Sequence, residues 1–546
     1  MTLRPRLAAL LGILMLVLLI AQWPLALAAR SGAYSLLDPI IDVHHVLTND
    51  YVVPIDAQAM QAPMLEAMIG TLNDPYTVYV PPAQARDFDK ELRGKYVGIG
   101  AEVSHENGIF RIITPMPGSP ALKAGIMAGD IILEIDHAPI EGKTTEQCID
   151  LLLGEAGTTV NLRVRRNDDT ETVLPVIRRQ IVTQTVGGLT RHGEGWNYCL
   201  DQQAGMYYVT INQFNETTAA ELREALESIG IDRVHALVLD LRENPGGALT
   251  AAIDVADLFL SQGQIVSVRD RKNDERSWRA HRPRTLPDFP MVVLANRFSA
   301  SAAEIVAGAL QENDRARVLG MRTFGKGSVQ EVRELGPDRG TLKFTAARYM
   351  LPSGRNISRT DQSTTWGVDP DPGFVVATSE DEDRDRINAH RAFQVIRNGD
   401  GHAPVCAEPQ WIQSTLKDRQ LALAIRALHA RLNSGQWESV GADVSELAAL
   451  EDERQRLTTR RDFFIEQVES LNKRLESLTL DSDSQEDADA TARMEDQAIP
   501  ETSRVAEGEV ILRDATGAEI GRYSITGDIV AALNSLQLRP LAASDR

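Results

Sequence analysis

The chain has 546 residues, of which 43% are hydrophobic and 25% are charged, and its formal net charge at pH 7 is −20. Because one hydrophobic core rarely serves a chain of this length, we expect two or three domains with extensions. The acidic balance excludes the clustered lysine and arginine face of a nucleic-acid-binding protein, and the composition is that of an ordinary soluble globular chain.

Residues 1–29 are the exception to this soluble composition. Arg4 and Arg6 precede an uninterrupted apolar run over 7–21, and small residues follow at Ala26 and Ala28. This order predicts a secretory signal peptide, and the segment is also nearly long enough to span a bilayer as an uncleaved anchor. With either alternative, we expect the rest of the chain in the periplasm or on the extracytoplasmic side of the inner membrane.

The next two regions differ in the secondary structure that their hydrophobic patterns predict. Residues 35–93 carry an apolar pattern that predicts helices, with a turn at Asn73-Asp74-Pro75. From 94 to 175, short strands, glycine turns and two helices predict a compact domain of its own. The helix over 144–153 in this domain is expected to begin with Thr145 as its N-cap.

Residues 176–375 alternate between apolar strands and helices. Helices are predicted to follow each of three strands, which indicates an α/β region with a largely buried sheet. The predicted strands are 205–211, 236–241 and 290–295, and the predicted helices are 217–229, 249–260 and 302–313.

The following region returns to helical patterns. Residues 376–480 are expected to form a helical extension, with an amphipathic helix over 416–432 and a heptad-like apolar stripe over 445–478. The stripe fits packing within one molecule, and a coiled-coil seam between copies is the alternative.

The end of the chain is predicted as a linker and a small folded unit. The acidic stretch over 481–505 has the composition of a disordered linker. Residues 506–546 contain two alternating segments, 509–512 and 520–525, that predict a hairpin, followed by a helix over 527–536.

The three cysteines are widely separated in the sequence. Cys148, Cys199 and Cys406 match no metal-ligand spacing, so we expect no metal site. We interpret all three as small buried hydrophobic residues, and a bridge between one pair in an oxidising compartment is the alternative.

Two loops that lead from a predicted strand into a predicted helix carry residues suited to acyl transfer. Gly246-Gly247 lets backbone N–H groups approach a ligand at a helix N-terminus, where an oxyanion hole is favoured. Ser301 lies in the second loop, where we expect its hydroxyl to be exposed and the N–H of Ala302 to be available to an oxyanion. On this segment alone, a helix-capping role for Ser299 or Ser301 stays open.

Lys326 lies in a third loop, between two glycines. Burial lowers the pKa of a lysine, and only the neutral amine accepts a proton from a serine, as a Ser-Lys pair requires. Gln330 is placed to hold that amine. A phosphate-binding loop is the alternative, because Gly320 has the required spacing to Gly325-Lys326. Gly327 replaces the magnesium-binding Ser or Thr, however, and no cofactor is therefore predicted.

In this order the segments resemble the carboxyl-terminal processing (tail-specific) serine proteases, which carry a PDZ domain. The resemblance covers residues 35–371 and implies a mixed α/β (α+β), crotonase-like protease core with an inserted PDZ domain, an N-terminal helical segment and a C-terminal helical extension. It rests on seven segments: 72–77, 96–100, 242–247, 299–304, 325–330, 352–355 and 367–371. Asn73 departs from the family's usual Leu-Asp-Pro frame, and nothing after Leu432 matches its usual ending.

The resemblance also implies roles in catalysis. Ser301 corresponds to the nucleophile, Lys326 to the general base and Gln330 to the glutamine that accompanies the base. The backbones of Gly246 and Ala302 correspond to the oxyanion donors. The implied reaction is peptide-bond cleavage through an acyl-enzyme.

The PDZ domain of that family binds nonpolar C-terminal tails as an added strand beside the loop that corresponds to Gly98, Ile99 and Gly100, and it also occludes or opens the active site. We therefore expect protein substrates with nonpolar tails, together with an adaptor protein and a homo-oligomer through the C-terminal helices. A catalytically inactive PDZ scaffold is the alternative function. A Ser-His hydrolase is a third, although no histidine lies near these segments.

Overall fold

The structure, a computed structural model, describes residues 35–56, 58–82, 84, 95–106, 108–336, 339–360, 363, 365–396, 406–443, 461, 465, 504–513, 519–528 and 539–540. It divides into two units, Met1–Glu451 and Asp452–Arg546. The predicted signal peptide or anchor, the heptad-like stripe except for 461 and 465, and most of the acidic linker lie outside the described residues. Within these ranges no helix is long and apolar enough to span a membrane.

The N-terminal region contributes two helices and one strand. Helices α1 (Asp38–Asp50) and α2 (Gln61–Gly70) bury no residue. The prediction of helices throughout 35–93 is wrong at β1 (Val78–Val80), which pairs antiparallel with β21 (Thr341–Met350). The physical reason is local, because Val-Tyr-Val favours a strand and buries Tyr79 and Val80 in a sheet that the preceding sequence does not reveal.

The region predicted as a PDZ domain, 94–175, corresponds to a series of elements that runs from 95 to 182. Its elements are β2 (Lys95–Gly98), β3 (Ala101–Glu106), β4 (Ile109–Pro115), α3 (Pro120–Lys123), β5 (Ile131–Ile135), β6 (Ala138–Pro139), α4 (Thr145–Leu152), β7 (Thr159–Arg165), β8 (Glu171–Ile177) and β9 (Arg179–Val182). The sheet order β3-β4-β5-β7-β8 leaves β3 at an edge. The N-cap of α4 is Thr144, not Thr145, because Thr144 and Gln147 form a reciprocal capping box.

The central sheet is largely parallel. Its region contains β10 (Val186–Gly187), β11 (Thr190–His192), β12 (Gly195–Asn197), β13 (Cys199–Asp201), β14 (Met206–Ile211), α5 (Thr218–Ile229), β15 (Ala236–Asp240), α6 (Leu249–Phe259), β16 (Gln264–Asp270), β17 (Glu275–Arg279), β18 (Met291–Ala295), α7 (Ala302–Glu312) and β19 (Arg317–Gly320). Strands β14, β15, β18 and β19 run parallel in that order. This agrees with the predicted α/β region and its buried strands.

A second, antiparallel sheet lies beside the first. Strand β20 (Ser328–Glu334) pairs with β21, and the sheet order is β1-β21-β16-β17. The N-terminal region is thus connected through β1 and β21 to the part of the chain that follows Lys326.

The helical extension covers the other face of the central sheet. It contains α8 (Glu380–Gln394), α9 (Pro409–Ser414) and α10 (Arg419–Ser434), and the amphipathic helix predicted over 416–432 is α10. Leu237 and Leu239 of β15 pack with α6 and α7, whereas Val238 packs with Leu421 and Ile425 of α10. Alternate residues of one strand therefore face two helical layers.

Cys199 and Cys406 form a disulfide, so the expectation that both are unpaired hydrophobic residues is wrong. The two lie 207 residues apart in sequence, and only the packing of the extension against the sheet brings β13 close to the start of α9. Cys148 is free and buried, as expected.

The second unit contains an antiparallel sheet. Strands β22 (Arg504–Arg513), β23 (Glu519–Asp528) and β24 (Arg539–Pro540) pair in that order, which confirms the predicted hairpin. The helix predicted over 527–536 is wrong at Gly527 and Asp528, which pair with Val505 and Arg504 in the hairpin. Its remaining residues lie outside the described part of the chain.

Candidate active site

Three loops meet at the carboxyl ends of neighbouring parallel strands. Strands β15, β18 and β19 are adjacent, so the loops that follow them lie side by side, which is where ligands bind in open α/β sheets. The N–H of Ala300 donates to the Asn244 carbonyl at 2.9 Å, and the N–H of Phe324 donates to the Ser299 carbonyl at 3.0 Å. The fold thereby joins the predicted glycine, serine and lysine segments.

Residues 242–247, named here the oxyanion loop, approach the serine closely. A Cβ at Gly246 would lie 2.7 Å from the Cβ of Ser301, and its φ of +101° also favours glycine. The N–H of Gly246 donates to Asn244 Oδ1 at 2.8 Å, so in this conformation it is not open to an oxyanion. The N–H of Ala302 at the start of α7 donates to no other described residue.

Ser301 is held in a strained position at the N-terminus of α7. It is only 6% exposed, so the expectation of an exposed hydroxyl is wrong, because Tyr349 packs against it. Its φ of +56° is uncommon for a residue with a side chain and is often found at functional sites. Its Oγ lies 3.1 Å from the hydroxyl of Tyr349, and its N–H donates to Glu304 Oε2 at 2.8 Å.

Lys326 is half-buried against an aromatic ring. Its Nζ lies 4.6 Å from the centroid of the Tyr76 ring, and in the described part of the chain the side-chain amine has no hydrogen bond or ion pair. Burial lowers the pKa of Lys326, and the positive charge of Lys343 lowers it further, whereas Glu304 and Asp74 oppose this shift. A lysine in this environment is suited to accept a proton.

Glu304 joins the serine and lysine segments, and the sequence interpretation missed it. Besides the N–H of Ser301, its fully buried carboxylate accepts hydrogen bonds from Thr323 Oγ1 at 2.6 Å, the N–H of Gly325 at 2.7 Å and the N–H of Lys326 at 2.8 Å. Burial raises the pKa of Glu304, while these hydrogen bonds act to lower it. The Ser-x-x-Glu capping pattern was the available signal.

Tyr349 is a second residue that the sequence did not indicate. Burial raises the pKa of its phenol, so the hydroxyl stays protonated at neutral pH. Its backbone N–H donates to the Gly327 carbonyl at 2.9 Å, next to Lys326. Tyr349 thus contacts Ser301 and the residue that follows Lys326, although it lies 48 residues from Ser301 in the sequence.

The conformation brings the predicted residues together without joining the dyad. Ser301 and Lys326 share no hydrogen bond in the part of the chain that the structure describes, because Ser301 contacts Tyr349 and Lys326 lies over Tyr76. Gln330 Nε2 donates to Ser328 Oγ at 2.8 Å instead of contacting Lys326. Among the described side chains, no group of three or more His, Cys, Asp or Glu is placed to hold a metal ion.

The predicted tail-binding loop lies beside an open sheet edge, and we name this loop and the edge of β3 the tail groove. Gly100 has a φ of +73°, and a Cβ there would lie 2.7 Å from that of Ser119. The N–H groups of Ile99 and Gly100 donate to no other described residue. Gly98 ends β2, and β3 follows as an edge strand able to accept another strand.

Comparisons with known proteins agree with these features. The profile of peptidase family S41 matches residues 205–373, and that of the PDZ domain matches residues 97–174. The chain is 36% identical over 334 residues to the carboxy-terminal-processing protease of Bartonella bacilliformis, covering 60% of this chain and 74% of that protein. It is 34% identical over 316 residues to a CtpA-like serine protease of Staphylococcus haemolyticus, covering 58% of this chain and 61% of that protein. Among solved structures it is similar to a photosystem II D1 C-terminal processing protease, with a TM-score of 0.37 and 28% identity, covering 62% of this chain and 86% of that one.

Proposed function

Because the chain belongs to the carboxy-terminal-processing proteases of peptidase family S41 and carries a PDZ domain, we propose that it is an exported serine endopeptidase that captures nonpolar C-terminal tails of proteins. The observation that carries this proposal is the meeting of Ser301, the oxyanion loop and Lys326 at the ends of three adjacent strands. The hydrogen bonds of Glu304 to both segments support it.

The proposed reaction proceeds through an acyl-enzyme. Neutral Lys326 takes the proton from Ser301 as Oγ forms a bond to the substrate carbonyl carbon, and the N–H groups of Ala302 and Gly246 stabilise the oxyanion. The C–N bond then breaks and the leaving amine takes the proton from Lys326. Water then attacks the acyl carbon while Lys326 accepts its proton, the bond between this carbon and Oγ breaks, and Oγ takes the proton back from Lys326. Gln330, once released from Ser328, orients the amine.

The present conformation would have to change before this reaction. Ser301 must leave Tyr349, Lys326 must turn from Tyr76 towards Ser301, and the N–H of Gly246 must be released from Asn244. We therefore interpret the structure as a resting state of the enzyme. Catalytic hydrogen bonds are often poorly aligned without substrate, so the geometry is compatible with the assigned roles.

The proposed substrates are proteins with nonpolar C-terminal tails. A tail would add to β3 as a further strand, and its carboxylate would be held by the free N–H groups of Ile99 and Gly100. Buried Ile99 and the core beneath the groove make nonpolar tail residues the favoured class.

Export is proposed from the N-terminal sequence. Residues 1–29 have the order of a signal peptide or a single anchor, and the Cys199–Cys406 disulfide suits an oxidising compartment. Fractionation of cells that express the chain should place it in the periplasm or on the outer face of the inner membrane. Recovery of the reduced protein in the cytoplasm would contradict export.

The test of function is cleavage of a protein that ends in nonpolar residues, with the same protein ending in charged residues as the matched control. The wild type is expected to cleave the first much faster, whereas Ser301→Ala and Lys326→Ala are expected to lose activity by several orders of magnitude. Equal cleavage by all three proteins would refute the dyad. No cleavage by the wild type, even with candidate adaptors, would favour the inactive PDZ scaffold.

The C-terminal residues are proposed to serve adaptor docking or homo-oligomer formation. A truncation after Asp443 is the suitable test, because Ala442 still pairs with Val375 and all of α10 is kept. We expect the truncated chain to keep its core fold while its oligomeric state or its activation changes. If the truncated chain has the same number of subunits and the same activity as the wild type, this part of the proposal fails.

A further inference from the structure

Helix α8 contacts the active-site loops with its first turns and the PDZ domain with its last turn. Its buried side chains, Asp383, Arg386 and His390, are three and four residues apart and therefore lie on one face. Ser379 fixes the start of the helix through a capping box with Glu382. The helix thus connects the active-site loops to the PDZ domain.

The N-terminal half of α8 is tied to two active-site loops. Asp383 pairs with Arg297, in the segment that leads to Ser301, at 3.1 Å. Arg386 donates to Glu243 Oε1 in the oxyanion loop at 2.7 Å. The same oxygen accepts a hydrogen bond from Asn296 Nδ2 at 2.9 Å, so one carboxylate connects α8 with both loops.

Glu243 is well placed to move the oxyanion loop. It has a φ of +59°, which is strained for a residue with a side chain. The next residue, Asn244, holds the N–H of Gly246 through its Oδ1. A shift of Glu243 would therefore move the neighbouring Asn244 side chain, which now accepts the hydrogen bond from the N–H of Gly246, a predicted oxyanion donor.

The C-terminal end of α8 contacts the PDZ domain beside its tail groove. Arg391 pairs with Glu102 of β3 at 3.3 Å, and the N–H of Ile396 donates to Thr114 Oγ1 at 3.1 Å. Glu102 and Thr114 are register partners in β3 and β4, so both contacts fall on one spot. Glu102 is also only two residues after Gly100, at the start of the strand that would receive a tail.

Space for movement exists between these parts. A cavity of about 290 Å³ separates the PDZ domain, the core and α8. Its lining includes Glu102, Thr114, Tyr208, Glu243, Arg386 and Gln394. Arg386 Nε, although buried, has no hydrogen-bond partner among the described residues, so the guanidinium is not fully fixed where it stands.

We propose that α8 couples the tail groove of the PDZ domain to the oxyanion loop, with Arg386 as a positioning residue that acts through Glu243. The inference rests on the function proposed above and names how that site is regulated. The element that would carry the coupling is α8, a helix with charged contacts at both ends. Contacts at both ends support coupling between two sites more strongly than spatial proximity alone.

The coupling needs a ligand that distinguishes two positions of the helix. A tail carboxylate held at Ile99 and Gly100 is a negative charge close to Glu102, and it would compete for Arg391. Loss of the Glu102–Arg391 pair would release the end of α8, and Arg386 would then shift Glu243. The tail would in this way free the N–H of Gly246 for catalysis.

The test measures hydrolysis of a short tail-less peptide with and without a saturating separate peptide that ends in nonpolar residues. The wild type should be stimulated by the tail peptide. In Glu102→Gln and in Arg391→Gln the unstimulated rate should rise and the stimulation factor should fall, by at most about five-fold, because an exposed ion pair contributes little. The charge reversal Glu102→Arg/Arg391→Glu should restore the wild-type factor.

Glu194→Gln is the matched control. Glu194 accepts a hydrogen bond from the N–H of Gly118 at 3.0 Å, so it also connects the PDZ domain to the core, but through the turn between β11 and β12 and not through a side chain of α8. Its stimulation factor should equal that of the wild type. Equal losses in Glu194→Gln and Glu102→Gln would overturn the role of α8, because any contact between the domains would then suffice.

Arg386 is tested by a split between kcat and KM. Arg386→Met should lose most of the tail-stimulated kcat while KM and the affinity for the tail peptide, measured by fluorescence anisotropy, stay unchanged. Arg386→Lys should recover part of this kcat because it keeps a charge opposite Glu243. A parallel change in KM, or no recovery with Lys, would indicate a merely structural role.

Failure of the inference can be distinguished from failure of the proposed function. If the wild type does not hydrolyse the peptide, or Ser301→Ala hydrolyses it equally well, the function is refuted. If the wild type hydrolyses it but the tail peptide has no effect, or the Glu102 and Arg391 variants keep the full factor, the coupling through α8 is refuted and the function stands.

Discussion

Two buried clusters at the same edge of the central sheet differ in how they stabilise a buried carboxylate. In the Glu304 cluster, the carboxylate accepts hydrogen bonds from four uncharged donors, and burial raises the pKa of Glu304. In the Arg242 cluster, formed by Asp240, Arg242, His390 and Asp418, burial also acts to raise the pKa of Asp418. Arg242 and His390 nevertheless hold it well below its usual range.

The difference separates a movable cluster from a fixed one. Neutral donors can exchange partners at modest cost, so the serine and lysine segments around Glu304 remain able to rearrange. Buried ions are stable only with all their partners, so the Arg242 cluster fixes Asp418 and the start of α10 on the sheet, and α8 contributes only His390 to it. Catalytic loops and fixed scaffold therefore lie next to each other on one edge.

The largest expected effect is on the Arg242 cluster. Arg242 donates to Asp240 at 2.6 Å and to Asp418 at 2.7 Å, and all three are buried. Arg242→Met should lower the free energy of unfolding by about 3–5 kcal/mol, because it leaves two carboxylates buried without their cation. Denaturant unfolding measures the change.

An exposed pair is the matched control for Arg242→Met. Arg426 contacts Glu438 at 3.0 Å with both side chains about half exposed, so Arg426→Met should cost no more than about 1 kcal/mol. Similar losses in the two variants would contradict the assignment of the Arg242 cluster as fixed scaffold.

The disulfide should have the next largest effect. It closes a long loop between β13 and the helical extension, and removing such a bond typically costs about 2–5 kcal/mol. Cys199→Ser/Cys406→Ser should therefore unfold at lower denaturant concentration than the wild type. Reductant should lower the wild-type midpoint to the same value and leave the double variant unchanged, and an insensitive wild type would argue against the bond.

Glu304→Gln should have a smaller effect on stability and a clear effect on catalysis. The amide places an NH₂ group against backbone donors, so we expect a loss of about 1–3 kcal/mol in unfolding free energy and a lower kcat. Wild-type kcat in this variant would mean that Glu304 does not position Ser301 and Lys326.

The same variant has a defined pH dependence. Because the folded-state pKa of Glu304 lies above the ordinary value of 4.5, the wild type loses stability as pH rises from that value through the folded pKa. Glu304→Gln lacks this loss. The stability gap between the two proteins should therefore narrow as pH rises, and a gap that widens would reverse the sign of the assignment.

Local sequence was sufficient for most elements and for the loops that carry the residues of the predicted dyad. Apolar runs located β14, β15 and β18, and the Gly-Gly, Ser-Ala-Ser and Gly-Lys-Gly segments lie in adjacent loops as predicted. The ordered motifs identified the family, and the comparisons confirm it. These features depend on neighbours in sequence, where periodicity and turn chemistry act.

The contacts between residues far apart in the chain could not be predicted from the sequence. Tyr349 reaches Ser301 from 48 residues away, Cys406 reaches Cys199 from 207, and β1 pairs with a strand near residue 342. Each depends on how sheets and helices stack, which no local pattern encodes. The contacts of Ser301 with Tyr349 and of Lys326 with Tyr76 could not be predicted either, because the fold brings the two tyrosine side chains to the site.

The smallest expected effect is a displacement of the pH profile of kcat/KM. Its ascending limb should follow the loss of a proton from Lys326, whose pKa is lowered by burial and by the charge of Lys343 and is raised by Asp74. Lys343→Gln removes a like charge, so the pKa of Lys326 rises and the limb moves to higher pH. Asp74→Asn removes an opposite charge, so the limb moves to lower pH, and the double variant should fall between them. Both single variants moving in one direction would show that the limb reports a group other than Lys326.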